Sequence, residues 1–344
     1  MKNKKVVVIG GGTGTAVVLS GLKQYPQLEI SAIVVVSDNG GSTGRLRDEF
    51  GFLPTGDLRQ CLAALATGSN ESLIRDILLY RFSEESSLAG HNLGNLIITA
   101  LEDLAQKRKD SPARAIEIAS RIFETAGQVY PISEQATDLV IDYQNEQVVG
   151  EKNLDDPKLG GRKIKKISLK KKLKIYHRAA QAIKEADLII LGPGDLYASL
   201  LANTLVEGFA EAMQKNKKQG GQFVYVLNLM THFSQTHQMT AFDHLSEVSQ
   251  YCQRQPDYIL INSEKIAPKI LKHYASQNEL PVLDDLRSAK KEKDKTIDWL
   301  KLQIKHHQLL STILISHDPG HSHSLLRHDK NKLAKAILKI LNKN

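Results

Sequence analysis

Short apolar runs bounded by glycine or polar residues alternate along the chain with longer stretches in which apolar residues recur at helical spacing. This alternation is typical of a parallel β-sheet that is covered by helices on both faces. The apolar runs predict strands at residues 5–9, 31–36, 187–191, 223–229, 258–262 and 312–316. The amphipathic stretches predict helices at residues 16–24, 57–66, 93–106, 111–123, 200–215 and 330–341. The pattern therefore predicts an α/β protein with a mostly parallel sheet.

The hydrophobic pattern changes between residues 128 and 175, where short segments of alternating apolar and polar residues replace the longer apolar runs. Residues 139–143 and 147–150 flank Gln144, Asn145 and Glu146 and predict a β-hairpin. We interpret residues 128–175 as a small β-rich insertion packed beside the sheet, within a single domain that covers residues 1–344. The charge-rich residues 290–307 predict a helical elaboration of this domain.

The net charge of +8 at pH 7 favours an anionic ligand or partner. Much of the excess lies in residues 158–174, which contain Arg162 and eight lysines: Lys158, Lys163, Lys165, Lys166, Lys170, Lys171, Lys172 and Lys174. Two interpretations remain, a solvated strand face and a surface that attracts phosphate groups. Because no aromatic residues are interleaved with the lysines, nucleic acid is disfavoured as a partner.

The cysteines and the apolar runs indicate the cellular compartment of the protein. Cys61 and Cys252 lie far apart and lack metal-binding spacing, which is typical of reduced core thiols in a cytosolic protein. The apolar run after Lys5 is too short for the core of a signal peptide, and no run approaches the length of a membrane span. The sequence therefore predicts a cytoplasmic protein without membrane insertion.

Glycine-rich loops follow three of the predicted strands, at residues 10–14, 37–45 and 191–195. Glycine lets backbone N–H groups approach a phosphate closely, and a following helix adds its positive N-terminal end. One such loop is weak evidence for a nucleotide site. Three of them in one chain predict a ligand that carries phosphate.

A dinucleotide fingerprint would require the spacing G-x-G-x-x-G/A and an acidic residue after the second strand. Gly10 and Gly12 fit the first two positions, but the third falls on Thr15, or on Val17 when the count starts at Gly12. Asp38 does follow the second strand. Because the fingerprint is incomplete and no partner for hydride transfer is evident, NAD-dependent redox catalysis is disfavoured.

The loop at residues 38–47 combines a carboxylate, an amide, hydroxyls, glycines and the guanidinium groups of Arg45 and Arg47. Arginine binds phosphate oxygens in bidentate geometry, and glycine lets the main chain wrap around them. In the next motif Asp57 is either a plain helix N-cap or a site residue, and Arg59 lies in the first turn of the same helix. Both motifs are candidate parts of a binding site.

His91 precedes a predicted helix, in a loop that also holds Asn92 and Asn95. It is a candidate proton donor or phosphate ligand, and the alternative is a hydrogen bond at the start of the helix. The glycines and asparagines around it favour a functional loop.

The C-terminal stretch at residues 317–323 contains several histidines, but their spacing is not typical of a metal site. A structural metal is therefore disfavoured there. Arg327 is the more informative residue of this region, because a cation at the far end of the chain is a candidate to close a binding cleft.

Taken together, these motifs resemble the bacterial gluconeogenesis factor family, also called YvcK-like, which is related to the archaeal 2-phospho-L-lactate transferases (CofD-like). In chain order, the motifs are residues 10–14, 37–47, 54–59, 90–95, 186–197, 228–231 and 327–329. The resemblance runs from residue 5 to about residue 340, and residues 38–47 and 56–59 are its most specific strings. It implies a Rossmann-like three-layer α/β/α fold with one deep cleft at the carboxyl ends of the parallel strands.

The resemblance also implies a function. The bacterial branch is associated with normal cell shape during growth on gluconeogenic carbon sources, and with binding of UDP-sugars such as UDP-GlcNAc (UDP-N-acetylglucosamine). The transferase relatives move a phospholactyl group onto a deazaflavin with a divalent metal. By resemblance, the chain is a regulator that binds a nucleotide sugar or another phosphorylated small molecule. The alternative is a transferase of the 2-phospho-L-lactate type that acts on a diphosphate substrate with Mg²⁺.

The resemblance carries a set of ligand-binding residues over to this chain: Gly11, Gly12, Thr13, Asp38, Asn39, Ser42, Arg45, Arg59, Asn92, Asn95, Gly194, Asn228, Tyr274 and Arg327. Within this set we expect Arg327 to bind the diphosphate and Tyr274 to lie against the base or the sugar. If the protein is an enzyme, Asp38 and Asp57 would hold Mg²⁺ and His91 would lie near the leaving oxygen.

The chain departs from the family pattern at two places. Asp195 stands where the family usually has serine, and its carboxylate would repel a diphosphate unless it binds Mg²⁺ or turns away. Residues 231–236 replace a turn of the Pro-Gly-Glu-Thr type, which puts ligand contacts from this loop in doubt. The sequence leaves open whether the chain forms a homo-oligomer.

Overall fold

The structure, a computed structural model, describes residues 3–286, 303–307, 309–315 and 324–342. The strands are β1 (Lys4–Gly10), β2 (Leu28–Val34), β3 (Gly127–Pro131), β4 (Leu139–Asp142), β5 (Gln147–Val149), β6 (Lys166–Leu169), β7 (Leu188–Leu191), β8 (Gln222–Val226), β9 (Tyr258–Asn262), β10 (Gln303–His307), β11 (Leu309–Ile315) and β12 (Ser324–His328). The α-helices are α1 (Gly12–Leu22), α2 (Gly41–Phe50), α3 (Thr55–Leu65), α4 (Glu71–Leu79), α5 (Leu93–Lys107), α6 (Pro112–Ile122), α7 (His177–Glu185), α8 (Phe209–Lys218), α9 (Ala241–Tyr251), α10 (Pro268–Ala275) and α11 (Lys330–Leu341).

Seven of these strands form one parallel sheet in the spatial order β10-β9-β8-β7-β1-β2-β3. Strand β1 lies between β2 and β7, and the register places Val6 beside both Ile30 and Leu188. The strand order reverses at the β1–β7 pair, since β2 and β3 extend the sheet one way and β8 to β10 the other. A crevice for ligands forms outside the carboxyl ends of the strands at such a reversal. The predicted α/β class and mostly parallel sheet are confirmed.

The central strand is buried on both faces. In β1 the side chains of Val6, Val8 and Ile9 are fully buried, and Val7 is 2% exposed. Helix α1 contacts β1 and packs against α3, while α7 contacts β1 and packs against α8. Successive side chains of a strand point to opposite faces, so burial of consecutive residues requires cover on both faces. This is why the central strands read as continuous apolar runs.

A three-stranded antiparallel sheet with the order β5-β4-β6 lies in the region predicted to be a β-rich insertion. The predicted hairpin is confirmed as β4 and β5, but the region begins later than expected, because residues 127–131 form β3 of the main sheet. Around β6, Ile164, Ile167 and Leu173 are buried while the lysines between them are exposed. The lysine-rich segment is therefore one solvated side of this small sheet and of its flanking loops.

The helix predicted at residues 200–215 is interrupted. The structure has a π-helical turn at Leu196–Leu200, a 3₁₀ turn at Leu201–Leu205 and then α8. Between the last two, the Glu207 N–H donates to the Leu173 carbonyl, and the Glu207 carbonyl accepts from the N–H of residue 175. The backbone thus pairs with the segment after β6 instead of continuing a helix, and hydrophobic periodicity does not reveal such long-range pairing.

The strand predicted at residues 312–316 falls on β11, apart from residue 316, which lies outside the described residues. Strand β11 pairs with β12 in a separate antiparallel sheet rather than with the parallel sheet. The helix predicted at residues 290–307 is wrong over its last five residues, which form β10 on the free edge of β9. Residues 287–302 and the histidines of residues 317–323 lie outside the described residues.

The hydrophobic pattern does not predict α2, α4, α7, α9 or α10. Helix α2 is the most informative of these, because it begins inside the glycine-rich segment that was interpreted as a loop. Within the described part of the chain, no helix combines the length and apolar character that crossing a membrane requires.

Candidate functional site

The loops that follow β1 and β7 pack against each other where the strand order reverses. Helix α1 begins at Gly12, whose φ of 65° lies in the left-handed region that favours glycine. A Cβ on Gly14 would overlap the carbonyl oxygen of Pro193. The first turn of α1 therefore touches the loop at residues 192–195, and this approach requires glycine at residue 14.

Asn228, which follows β8, holds the loop after β7 in place. Its side-chain oxygen accepts a hydrogen bond from the Gly194 N–H at 3.3 Å, and its side-chain nitrogen donates to the Gly194 carbonyl at 2.8 Å. The structure thus brings together the predicted ligand residues Gly194 and Asn228. Because both ends of the amide are engaged, Asn228 positions the loop.

Three helices begin at the crevice with N-cap residues that make no side-chain hydrogen bond to the helix, although the Asp57 carboxylate accepts a hydrogen bond from the Gly12 N–H at the start of α1. The N-cap residues of α1, α2 and α3 are Gly11, Gly40 and Pro54, all in extended conformation, and no side-chain oxygen of theirs bonds to the helix start. The first N–H groups of a helix have no partner within the helix, and the positive end of the helix dipole favours anions. Each helix start is therefore suited to bind a phosphate oxygen.

Close contacts bring these three helix starts together. A Cβ on Gly11 would overlap the carboxylate of Asp57 in α3. A Cβ on Gly56 would lie 2.6 Å from Thr43 Oγ1 in α2 and 2.9 Å from Asp38 Oδ2 after β2. Helix α3 thus touches both α1 and α2, and the three positive helix ends lie within one crevice.

Asp38 and Asp57 face each other in this crevice. The Asp38 carboxylate accepts a hydrogen bond of 2.8 Å from the Gly40 N–H. Burial, and next the charge of Asp38, raise the pKa of Asp57 to about 7, although the Gly12 N–H opposes this shift. Burial also raises the pKa of Asp38. A buried carboxyl whose charge is disfavoured by a neighbouring carboxylate in this way favours a cation beside the pair.

The transferase relatives imply a divalent metal, and the donor set here fits Mg²⁺. In nucleotide sites Mg²⁺ is usually bound by one or two carboxylates together with phosphate oxygens of the substrate. Asp38 and Asp57 supply two carboxylates beside helix ends that suit phosphate. Among residues that the structure describes, no group of three or more His, Cys, Asp or Glu side chains is placed to hold a metal. The remaining ligands would come from the bound molecule and water.

The raised pKa of Asp57 predicts how stability depends on pH. An unfolded aspartate has a pKa of about 3.9, so between roughly pH 4 and pH 7 the folded protein retains a proton that the unfolded chain releases. The free energy of unfolding is therefore highest at the acidic end of this range and falls as the pH rises. Between about pH 4.5 and pH 8, we expect the wild type to lose about 3 kcal/mol relative to Asp57→Asn in urea-induced unfolding.

Asp103→Asn is the matched control for this measurement. Asp103 lies on α5, partly exposed, and pairs only with Lys107 one helical turn away among the ion pairs of the described residues. Its replacement should leave the pH dependence of the wild type unchanged. Parallel pH profiles for the wild type and Asp57→Asn would contradict the raised pKa of Asp57.

Ser42 is the centre of a hydrogen-bond network between α2 and α5. Its hydroxyl accepts from the Asn92 N–H at 3.4 Å and from Asn95 Nδ2 at 3.2 Å, and it lies 3.3 Å from His91 Nδ1. A hydroxyl that accepts twice donates its own proton to the third partner, which leaves the ring proton of His91 on Nε2. Burial, followed by the charge of Arg45, lowers the pKa of His91. The crevice therefore contains a neutral imidazole.

Arg59 lies at the back of this network. Its Nε donates to Asn95 Oδ1 at 2.8 Å, and its Nη1 donates to the Leu78 carbonyl at 3.2 Å. Burial, followed by the charge of Arg81, lowers the pKa of Arg59 to about 10, so the side chain keeps its charge at neutral pH. Its positive charge partly offsets those of Asp38 and Asp57.

Arg327 reaches the start of α1 from β12. Its Nη2 donates to the hydroxyl of Thr13, a residue 314 positions earlier in the chain. The Tyr274 hydroxyl accepts a hydrogen bond of 2.5 Å from the N–H of Leu326, and the tyrosine is buried. The charge of the exposed Asp195 carboxylate acts to raise the pKa of both Arg327 and Asp57. The crevice is thus completed by a cation from the other end of the sequence.

Comparisons with known proteins identify the family. The sequence profile described as 2-phospho-L-lactate transferase CofD matches residues 6–300. The chain belongs to the CofD family. A protein of Thermotoga maritima is 37% identical over 343 residues, which cover 98% of this chain and 99% of the relative. The gluconeogenesis factor of Halalkalibacterium halodurans is 36% identical over 342 residues, covering 98% and 97% of the two chains.

Solved structures agree with this assignment of the chain to the CofD family. A crystal structure of a member of the UPF0052 family from Bacillus halodurans has a TM-score of 0.84 to this fold at 34% identity, and the match covers 98% of this chain and 99% of that one. The resemblance inferred from the sequence motifs is therefore confirmed at the level of the family and of the fold.

Two of the predicted ligand residues make contacts away from the CofD-family crevice. Asn39 Oδ1 accepts a hydrogen bond of 3.0 Å from the Lys152 N–H, at the end of the β4–β5 hairpin. Arg45 is exposed, and its Nη2 donates to the Ala89 carbonyl at 3.2 Å. Asn39 thus ties the small sheet to the loop after β2. Ligand binding by these two residues stays a prediction.

Sequence reasoning missed Thr43 as a residue of the crevice. Its hydroxyl lies 3.5 Å from Asn95 Nδ2, and its hydrogen bond to the Asp38 carboxylate opposes the rise in the pKa of that group. Thr43 lies within the glycine-rich motif, but its role depends on which way α2 turns after Gly41. The local sequence does not indicate the direction in which α2 runs.

The loop at residues 231–236, which departs from the family pattern, packs against the insertion. The Gly161 N–H donates to the Phe233 carbonyl at 2.9 Å, and the Tyr143 hydroxyl donates to the Ser234 carbonyl at 3.1 Å. A Cβ on Gly160 would overlap the Phe233 ring. The small sheet is therefore attached to the β8 side of the crevice here, as well as to the β2 side through Asn39.

Proposed function

We propose that this protein binds a nucleotide sugar of the UDP-sugar type in the crevice between β1 and β7. The observation that carries the proposal is the meeting of three uncapped helix starts, those of α1, α2 and α3, at one point of the fold. N–H groups at the starts of several helices can bind several phosphate oxygens at once. A diphosphate matches this arrangement better than a ligand with a single small anionic group.

Arg327 adds a positive charge to the same crevice. Its guanidinium lies at the first turn of α1, where it donates to Thr13. Guanidinium groups bind phosphate in bidentate geometry, which fixes orientation as well as adding affinity. In the proposed complex, one phosphate lies between the start of α1 and Arg327.

The carboxylates of Asp38, Asp57 and Asp195 would repel a diphosphate unless their charge is offset. Mg²⁺ held by Asp38 and Asp57 would bridge the carboxylates and the phosphate oxygens. Protonation of Asp57 below about pH 7 would have a similar but weaker effect. The proposal therefore includes Mg²⁺ as the partner of the ligand.

We propose further that binding serves regulation. Relatives from Halalkalibacterium halodurans and Bacillus subtilis carry the name gluconeogenesis factor. A regulator that senses a nucleotide sugar would connect the supply of this precursor to normal cell shape during growth on gluconeogenic carbon sources. Such a role requires binding and release of the ligand without its conversion.

The second candidate is a transferase of the 2-phospho-L-lactate type, which the matching family profile supports. The pair Asp38–Asp57 favours it, because carboxylates that share a cation beside a phosphate are the usual arrangement for phosphoryl-type transfer. The neutral His91, held by Ser42, would lie near the leaving oxygen. Catalysis would then consist mainly of positioning and neutralisation of charge.

Isothermal titration calorimetry tests the proposal. The purified protein is titrated with UDP-N-acetylglucosamine, UDP-glucose, NAD and NADP, each with and without Mg²⁺. We expect the UDP-sugars to bind more tightly with Mg²⁺ than without it. We expect NAD and NADP to show no detectable binding. Recovery of the ligand unchanged after long incubation supports a regulator, and recovery of a product supports the transferase. The absence of detectable binding of both UDP-sugars at millimolar concentration would contradict the proposed ligand class.

A further inference from the structure

A second concave surface lies beside the phosphate crevice, at the carboxyl ends of β8 and β9. It encloses a cavity of about 360 Å³ between the chain that follows these strands, helix α10 and residues 281–282. Most of its lining side chains are apolar: Leu227, Leu229, Ile261, Ile266, Leu271 and Val282. The proposed diphosphate site does not use this cavity.

The cavity and the phosphate crevice share a wall. Asn228 lines the cavity, and its side chain is hydrogen-bonded to the backbone of Gly194 in the loop after β7. Strand β8 is the immediate neighbour of β7. Adjacent strands lie about 4.8 Å apart, so the cavity begins one to two strand spacings from the loops that suit phosphate. This separation is within the length of a nucleoside diphosphate.

Two of the four polar side chains that line the cavity, those of Asn228 and Asn262, are already paired with backbone groups, and the other two are the charged side chains of Glu264 and Lys265. Asn262 Nδ2 donates to the Glu264 carbonyl at 2.7 Å, and Asn262 Oδ1 accepts from the Glu264 N–H at 3.2 Å. The amide of Asn228 is engaged by Gly194, and Lys265 is exposed at the rim. A sugar placed against the apolar side chains of this cavity would leave most of its hydroxyl groups without partners, which is costly once water is excluded. A flat heterocycle instead buries its faces against leucine and isoleucine.

The opposite side of the crevice has the complementary chemistry. Beside Asp38, which the proposal assigns to Mg²⁺, the side chains of Ser42, Thr43 and Asn95 form a hydrogen-bonded polar cluster, and hydroxyl and amide groups bind the hydroxyls of a sugar. The two halves of a nucleotide sugar therefore meet different surfaces on the two sides of the central phosphates.

We infer that the cavity at the ends of β8 and β9 binds the nucleobase of the nucleotide sugar, while the sugar points toward Asp38 and Asp57. The inference rests on the proposed function and adds to it the direction in which the ligand lies across the sheet. On this inference, the apolar cavity is the part of the site that makes the protein bind a nucleotide more tightly than a simple diphosphate.

Leu271→Trp tests this inference, because the larger ring fills the cavity from α10. Its matched control is Lys272→Trp, which adds the same ring at the next, exposed position of the helix. We expect Leu271→Trp to weaken binding of UDP and UDP-N-acetylglucosamine about tenfold or more, and to change binding of inorganic pyrophosphate less than about twofold. Lys272→Trp should leave all three ligands unaffected.

The outcomes separate this inference from the proposal on which it rests. Wild-type affinity of Leu271→Trp for UDP would overturn the inference alone, as would equal loss of UDP and pyrophosphate binding. If the wild type binds UDP no better than pyrophosphate, the base contributes nothing and the inference also fails. If the wild type binds neither, the proposed diphosphate site fails and the inference fails with it.

Photo-crosslinking provides a readout that does not depend on the folding of any variant. Wild-type protein is irradiated with 5-azido-UDP-glucose, whose reactive group is on the base, and the labelled peptides are mapped by mass spectrometry. We expect the label within residues 227–229, 261–271 or 281–282. A label on residues 38–59 would place the base on the β2 side and overturn the inference.

Discussion

Replacing Arg327 with alanine is expected to weaken binding of UDP-N-acetylglucosamine about 100-fold, because a hydrogen bond to a charged group contributes about 1.5–3 kcal/mol and tenfold in affinity corresponds to about 1.4 kcal/mol. Arg327 is the cation that reaches the start of α1, through Thr13. In the proposed complex, its loss removes both a bidentate partner of the phosphate and the positive charge near Asp195. Isothermal titration at fixed Mg²⁺ measures the effect.

The control is Arg108→Ala, which removes the same charge from an exposed position at the end of α5. It should bind the UDP-sugar as the wild type does, and both variants should unfold at the wild-type temperature. Arg327→Lys separates charge from geometry, and we expect it to recover only part of the affinity because lysine lacks the bidentate fork. Unchanged affinity of Arg327→Ala would remove Arg327 from the ligand site.

Replacing Gly14 with alanine is expected to lower the free energy of unfolding by about 3 kcal/mol, the upper end of the range for an overpacked site. The added Cβ would overlap the carbonyl oxygen of Pro193. The backbone fixes the position of the Cβ and the Pro193 carbonyl is itself backbone, so neither can rotate away. Relief requires α1 to move away from the loop after β7, which would also separate the two walls of the phosphate crevice. Urea-induced unfolding measures the loss of stability.

Gly40→Ala is the matched control for this substitution. Gly40 also precedes a helix at the crevice, but its φ of −87° suits any residue, and a Cβ there would meet its nearest neighbour, Asp38 Oδ1, at an ordinary 3.4 Å. We expect its stability to stay within about 0.5 kcal/mol of the wild type. Similar losses in both variants would mean that the contact with Pro193 is not the cause.

The elements with local signals could be predicted from the sequence. Strand β9 and helix α11 have the predicted bounds, since an apolar run between polar residues and a clear helical period each require no tertiary information. Helix α2 could not be predicted, because its first turn is Gly41, Ser42, Thr43 and Gly44. Contacts of Ser42 with α5, such as the hydrogen bond from Asn95, stabilise it instead.

The sequence motifs contain residues that the fold brings to one crevice, but they do not predict the contacts that each residue makes. Clustering of glycine and polar residues after strands pointed to the crevice, and the topology brings these loops together. The partners of Asn39 and Tyr274 are backbone N–H groups of Lys152 and Leu326. These partners lie 113 and 52 positions away, and no pattern of side chains reports such pairings.

The contact between Thr13 and Arg327 makes the crevice a property of the whole chain. Loops that are far apart in sequence, such as those after β1 and β7, already meet in the crevice, and the guanidinium of Arg327 adds a contact across 314 positions, whose closure also costs entropy. A single cut between α10 and β12 would leave the other groups of the crevice on one fragment and would lower the effective concentration of the guanidinium. Ligand binding would thus require an intact and folded polypeptide. The bound ligand would in turn hold together the two distant segments that contain Thr13 and Arg327.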